Sequence, residues 1–294
     1  MKKFAPRAAV PALAFAVSLA PASVGAATAH QSTSTVSLTQ ARAASAPPPD
    51  AFNVASFNVH GNSHTRGRGG LRAGAARMKG AIAYLGKHQV TLAGLQELEP
   101  RQASAFLQQT KGRWGLVGAP SRSGKSIDLR NSVAYYKARF SLVRRTYVPI
   151  TYFRGNRVNI PLVQLKSKRN GKAFWLLNTH NPADRHGSAR KWRAVSVRRQ
   201  MQHIQRLRSQ GHTVLFTGDM NAKRPFFCTA TGSGVLHSAS GGSVGKPCRY
   251  PRANGIDWVL GTRDVQFRNW RSDKTTRSRG ISDHPIVVAR ATLR

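Results

Sequence analysis

Apolar positions along this chain fall mainly in short runs broken by Gly, Pro, Asn and Asp, and few segments carry helical spacing. Phe52 to Val59 alternates in part and predicts a strand. Met78, Ile82 and Leu85 then recur at three and four residues, predicting a helix over Arg72 to His88, before a second apolar run from Gln89 to Leu95. Strand-like runs follow at Asn131 to Tyr136, Phe140 to Val148, Val158 to Lys166 and Ala173 to Asn178. Val197, Met201, Ile204 and Leu207 predict a second helix over Ser188 to Arg208, with its arginines as a solvated outer face. Further strands are predicted at Thr213 to Thr217, Ile256 to Leu260, Val265 to Trp270 and Pro285 to Ala291. Two sheets packed face to face, each covered by helices on its outer side, use this set of elements well. The pattern leaves the strand pairing open.

The N-terminal residues follow a different logic. Lys2, Lys3 and Arg7 precede an apolar stretch from Ala8 to Ala20 and small residues ending in Ala27-Thr28-Ala29, the layout of a cleaved secretory signal over residues 1–29, with Ala26 as the alternative cleavage point. The stretch is shorter than the roughly 20 residues a spanning helix needs. Residues 30–50 are Ser, Thr, Ala, Gln and Pro with almost no large apolar side chains, the composition of a disordered linker. The 244 residues from Ala51 to Arg294 are enough for one well-buried domain.

The formal charge of +37 falls to +34 when the three signal-region basic residues leave. Such a surface concentrates polyanions and opposes self-association, which points to a nucleic-acid or other phosphate-rich partner and to a monomer; retention at an anionic cell wall is the plainer alternative. Cys228 and Cys248 are the only cysteines, and an even pair in an exported chain most simply forms one disulfide, free thiols or metal ligation being the alternatives.

With only ten acidic residues, their positions carry information. Glu97 ends the run Gly94-Leu95-Gln96, Asp219 and Asn221 follow the run to Thr217, Asp257 opens Trp258-Val259-Leu260, and Asp283-His284 precedes the last strand. A carboxylate at the end of a buried strand costs several kcal/mol unless it is paired or bound to a cation. For Glu97 alone, a salt bridge to one of the many arginines is the simple expectation; taken with the other acids, a hard divalent cation is the better partner. A carboxylate on one imidazole nitrogen, as Asp257 is placed to supply to His284, fixes the tautomer and supports proton transfer at the other nitrogen.

In the order Ser56-Phe57-Asn58, Gly94-Leu95-Gln96-Glu97, Asn178-Thr179-His180, Gly218-Asp219-Met220-Asn221, Ile256-Asp257-Trp258 and Ser282-Asp283-His284, the chain resembles the endonuclease/exonuclease/phosphatase superfamily across nearly all of residues 51–294. The resemblance implies an α+β fold, a four-layer α/β/β/α sandwich of two packed mixed sheets, and metal-dependent attack of water on a phosphoester. It implies that Glu97 holds the metal with Asp283 and Asn58 close by, that Asp219 and Asn221 orient water or phosphate, that His180 contacts phosphate oxygens, and that Asp257 orients His284. The role of His284, as base or as charge stabiliser, stays open. Mg²⁺ is the expected ion, with Mn²⁺ and Ca²⁺ as alternatives.

Basic residues near these motifs, Arg66, Arg68, Lys223, Arg224 and Arg279, are candidate substrate contacts, because several cations around a phosphodiester site suit a polyanion. The leading expectation is a secreted nuclease acting on DNA, with RNA as a further substrate. A phospholipid headgroup hydrolase is the rival, needing an apolar loop for which only Phe226-Phe227 stands out, and an inactive nucleic-acid binder or wall-retained cationic protein is the non-enzymatic alternative. Gly241-Gly242-Ser243-Val244-Gly245 mimics a serine-hydrolase elbow but lies in a Gly/Ser loop, and Pro182 disfavours a regular helix aligning His180, Asp184 and His186 on zinc.

Overall fold

The computed structural model describes residues 49–65, 71–251, 253 and 255–293. In chain order these form β1 (Asp50–Asn58), α1 (Gly74–Lys87), β2 (Val90–Gln96), α2 (Pro100–Gln109), β3 (Trp114–Pro120), β4 (Ile127–Tyr136), β5 (Phe140–Thr151), β6 (Arg157–Ser167), β7 (Ala173–His180), α3 (Arg190–Ser209), β8 (Val214–Asp219), α4 (Arg224–Thr231), β9 (Leu236–Ser238), β10 (Asp257–Thr262), β11 (Val265–Asp273), α5 (Thr275–Ser278) and β12 (Ile286–Leu293). One sheet has the order β11-β12-β1-β2-β4-β3 and the other β5-β6-β7-β8-β10-β9. Each is antiparallel except for one parallel pair, β1 with β2 and β7 with β8. Parallel neighbours need a long crossover. α1 and α3, the two helices with legible periodicity, supply it.

Strand alternation sorts the apolar side chains into three layers of contact. Phe52, Val54 and Leu92 of the first sheet meet Phe174, Leu176, Leu215 and Val259 of the second between the sheets. Phe57, Leu95 and Val288 pack outward against Met78 and Leu85 of α1 and Phe106 of α2. Leu177, Phe216 and Trp258 pack outward against Val197, Met201 and Ile204 of α3 and Phe226 of α4. The result is the expected four-layer sandwich of helix, sheet, sheet and helix.

Several elements escaped the apolar pattern. The N-terminus of α2 has Pro at its first turn and a reciprocal capping box between Glu99 and Gln102, a signal independent of hydrophobic spacing. Phe226 and Phe227, expected at an exposed loop, are only 1% and 0% exposed, because Arg224-Pro225 opens α4 and turns both rings onto Trp258. Asp50, expected in the linker, begins β1 and is buried against Arg139 at 2.6 Å. Cys228 and Cys248 form the disulfide, with Cα atoms 5.5 Å apart. The segments expected as signal peptide and most of the linker, and Arg66 and Arg68, lie outside the described residues. Among the described residues no helix is long and apolar enough to cross a membrane.

Candidate active site

The inter-sheet faces of four strands change from apolar to polar as they reach one end of the sandwich. On β1, Phe52 and Val54 give way to Ser56 and Asn58; on β2, Leu92 to Gly94 and Gln96; on β7, Phe174 and Leu176 to Asn178 and His180; on β8, Leu215 to Thr217 and Asp219. Asn178 bonds across the gap: its Nδ2 donates to the carbonyls of Leu95 at 2.8 Å and Ser132 at 2.9 Å, and its Oδ1 accepts from Gln96 at 2.7 Å and Thr217 at 3.1 Å. Gly94 lets the sheets come this close, since a Cβ there would lie 2.1 Å from Thr217 Oγ1 and 2.2 Å from Asn178 Oδ1.

Asp219, 1% exposed, stands at the centre of what this end of the sandwich presents. Its Oδ2 accepts from Asn58 Nδ2 at 3.2 Å and lies 3.4 Å from His180 Nε2 and 3.5 Å from His284 Nε2. Its Oδ1 accepts from the backbone N–H of Asn221 at 2.9 Å, while Asn221 Nδ2 donates to Asn181 O. Asn58 Nδ2 also reaches Glu97 Oε1 at 3.0 Å, tying the two carboxylates together. Asp257 begins β10 opposite Asp219, and its carboxylate meets His284 Nδ1 at 2.9 and 3.0 Å. An open cleft of about 620 Å³ exposes Glu97, His180, Asp219, Asn221, Asp283 and His284 together.

The sequence-predicted catalytic and metal residues therefore converge. The simple expectation for Glu97 alone, an arginine salt bridge, fails. Five of the ten acidic residues, Asp50, Asp128, Asp184, Asp264 and Asp273, pair with Arg or Lys. Among the described residues, the ion-pair partners of Glu97, Asp219, Asp257 and Asp283 are all imidazoles. In a chain with 47 Lys and Arg, none of those described forms an ion pair with these four clustered carboxylates. That donor set fits a divalent cation. Asp184 bonds Arg193 instead, which removes it from any zinc set with His180 and His186.

Electrostatics separate the groups further. Burial would raise the Glu97 carboxyl, but hydrogen bonds from His64, Asn58 and the Gly61 N–H and the charge of His180 hold it well below the usual carboxylate range. Burial pushes Asp257 up to about 6. Burial would lower His284, yet the charge and hydrogen bond of Asp257, with Asp219 and Asp283, lift it to about 10. The surrounding carboxylates thus favour the imidazolium form of His284, whose Nε2 faces Asp219.

The basic contacts divide. Lys223 lines a second hollow with Asp257, Arg277 and His284, and Arg277, not Arg279, donates to the Asp283 carbonyl at 2.8 Å. Arg224 and Arg279 are exposed. Sequence reasoning missed His60 and His64. His60 Nδ1 lies 2.8 Å from Asp283 Oδ1, and His64 Nδ1 lies 2.8 Å from Glu97 Oε2. Their only signal was position, two and six residues beyond the strand-ending Asn58. Tyr152 and Phe153, rings 4.4 Å apart beside His180, were also unforeseen as cleft walls.

A sandwich of two mixed sheets with carboxylates and imidazoles gathered at one end has the architecture of a phosphoesterase or nuclease. The chain belongs to the endonuclease/exonuclease/phosphatase family, which it matches over residues 55–284; members of that family are hydrolases acting on phosphoester bonds. Its fold is similar to that of a family protein from Bacteroides thetaiotaomicron, at 16% identity and TM-score 0.62 over 84% of this chain and 99% of the other. It is similar to the catalytic domain of human nocturnin with bound sulfate, at 16% identity and TM-score 0.64 over 84% and 98%. A mannosyl-6-phosphatase from Bacteroides thetaiotaomicron is also similar, at 16% identity and TM-score 0.56 over 82% and 99%. No curated protein matches significantly in sequence.

Proposed function

We propose that this protein is a secreted, monomeric, metal-dependent phosphodiesterase that hydrolyses nucleic acid, DNA first and RNA as a further substrate. The observation that carries the reading is Asp219 Oδ2, buried and ringed by Asn58, His180 and His284, at the edge of a carboxylate cluster whose ion-pair partners among the described residues are all imidazoles. Asp219 is placed to orient a water and take its proton as the water oxygen bonds to phosphorus and the P–O ester bond breaks, the leaving oxygen departing as an alkoxide that takes up a proton from solvent. His180 and the His284 imidazolium offer N–H groups to the phosphoryl oxygens, where negative charge grows. Asp257 keeps His284 protonated and oriented, so His284 acts as charge stabiliser rather than base. Glu97, with Asn58 and Asp283 nearby, would hold the divalent ion, Mg²⁺ or Mn²⁺; when bound, such an ion neutralises phosphoryl charge as a Lewis acid.

The substrate class rests on charge. A net +37, with Lys223, Arg277 and Arg185 beside the cleft, favours a chain of phosphates over a single one, since each phosphate neutralised releases counterions. Phospholipid loses its support because Phe226 and Phe227 are buried. Secretion draws on the signal-like N-terminus and the Cys228–Cys248 bond, which persists in oxidising surroundings. Plasmid cleavage with Mg²⁺ or Mn²⁺, and its loss with chelator, is the test. Pure protein that cleaves neither DNA nor RNA with either ion ends the proposal.

A further inference from the structure

His60 precedes, and His64 closes, the 3₁₀ turn Asn62–His64 just beyond β1. Ligand atoms of His60, His64 and Glu97 all lie within 4.8 Å of one another, little more than the roughly 4.2 Å between opposite ligands of one ion with bonds of about 2.1 Å. The 2.8 Å from His64 Nδ1 to Glu97 Oε2 is close to the roughly 3 Å edge of such a shell. His60 commits Nδ1 to Asp283 and leaves Nε2, the arrangement in which a carboxylate orients a metal-binding imidazole.

The loop does not need these imidazoles to hold its shape. The buried Arg77 guanidinium donates to the carbonyls of Val59 at 2.7 Å, Ile281 at 2.6 Å, Arg72 at 2.8 Å and His60. Gln102 Oε1 accepts from the Asn62 N–H at 3.0 Å, and Glu99 accepts from the Ser63 N–H at 2.9 Å. Within this frame His60 and Glu97 both take left-handed backbone angles, φ 56° and 59°. For residues other than glycine that conformation costs energy, and such strain clusters at ligand sites.

Mg²⁺ prefers oxygen and retains water, whereas imidazole suits the first-row transition metals. We propose that His60 and His64 join Glu97 in binding a divalent transition-metal ion, making this site selective for nitrogen-accepting metals over Mg²⁺. The inference rests on the reading of Glu97 as a cation ligand.

The test is binding, not turnover. Metal-stripped full-length protein, disulfide intact, is titrated with Co²⁺ and with Mg²⁺ by calorimetry, alongside His60→Gln and His64→Gln. Wild type should bind Co²⁺ at least about 100-fold more tightly than Mg²⁺. Each variant should lose about 10- to 100-fold in Co²⁺ affinity and under about threefold for Mg²⁺. Variants that bind Co²⁺ like wild type, or lose both metals equally, overturn the proposal. Pulsed electron paramagnetic resonance of Cu²⁺ bound to wild type guards against a variant that fails to fold: absence of imidazole nitrogen coupling also overturns it. Protein that binds Co²⁺ through these histidines yet cleaves no phosphoester sinks the proposed activity and leaves this inference standing. An active enzyme with histidine-independent metal binding does the reverse.

Discussion

The two rims of the cleft are built in opposite ways. On the side of the second sheet, His180, Asp219 and Asp257 sit on strand residues, and the two aspartates are 1% and 2% exposed. On the side of the first sheet, Glu97, His60 and His64 lie just past strand ends, with His64 exposed, and are fixed by Arg77, Gln102 and Glu99. One rim is made rigid by the sheet itself. The other is a loop frozen by a buried guanidinium. On the proposed reading, the aspartates assigned to proton handling are mounted on strands in the core, while Glu97, His60 and His64, assigned to the cation, stand on loop residues at the cleft.

The largest expected effect breaks both rims in turn. Glu97→Ala and His284→Ala should each lower kcat/KM on plasmid by about 1000-fold or more, close to 4 kcal/mol of transition-state stabilisation, with DNA retention in gel shifts largely kept. Equal loss of binding would count against the assigned roles. Arg77→Leu should act on the loop rim alone. It strips donors from the carbonyls of Val59, His60 and Ile281, costing about 3 kcal/mol and lowering Tm by roughly 9 °C. Metal affinity should fall with it, while the His284 imidazole resonance keeps its titration; a shift there would show that the rims are coupled.

pH probes the Asp257–His284 pair next. In metal-free protein His284 is raised from an ordinary value near 6.5 to about 10, so its stabilising contribution is fully present below about pH 6.5 and is lost as pH climbs through about 10. Asp257, raised to about 6 by burial, works in a lower window: its ionisation inside the fold costs stability as pH rises from about 4 to about 6. Denaturant melts of wild type and His284→Gln should therefore converge above pH 10; a constant gap would refute the assignment.

The smallest effect lies away from both rims. Burial would raise Asp273, but bonds from Lys87, Thr275 and His88 hold it well below the usual range. Its stabilisation is present above about pH 4 and lost as pH falls through the depressed folded value. Asp273→Asn should cost roughly 1 kcal/mol at pH 7, discounted for the exposed lysine, and almost nothing in strong acid.

Sequence legibility follows the same division. Asn58, His180, Asp219 and Asp257 could be found because each terminates or opens an apolar run, so the period that marks the strand also marks the site. His60 and His64 have no period to reveal them; their placement is set by Arg77 and Gln102, the latter 42 residues after His60. The buried Asn178–Gln96–Thr217 network was equally hidden, since nothing local says that two sheets will meet there. Fold class was readable from short runs and two long helices. Strand order was not, because pairing depends on contacts distant in sequence.

Gly94, flush against Asn178 and Thr217, has a consequence for how such a molecule changes over time. With no side chain to lengthen or shorten, the spacing of the sheets is pinned at a single value, and any larger residue would wedge them apart. Exchanges in the border segments around the mouth meet no such close contact between the sheets and would leave the supporting slab untouched.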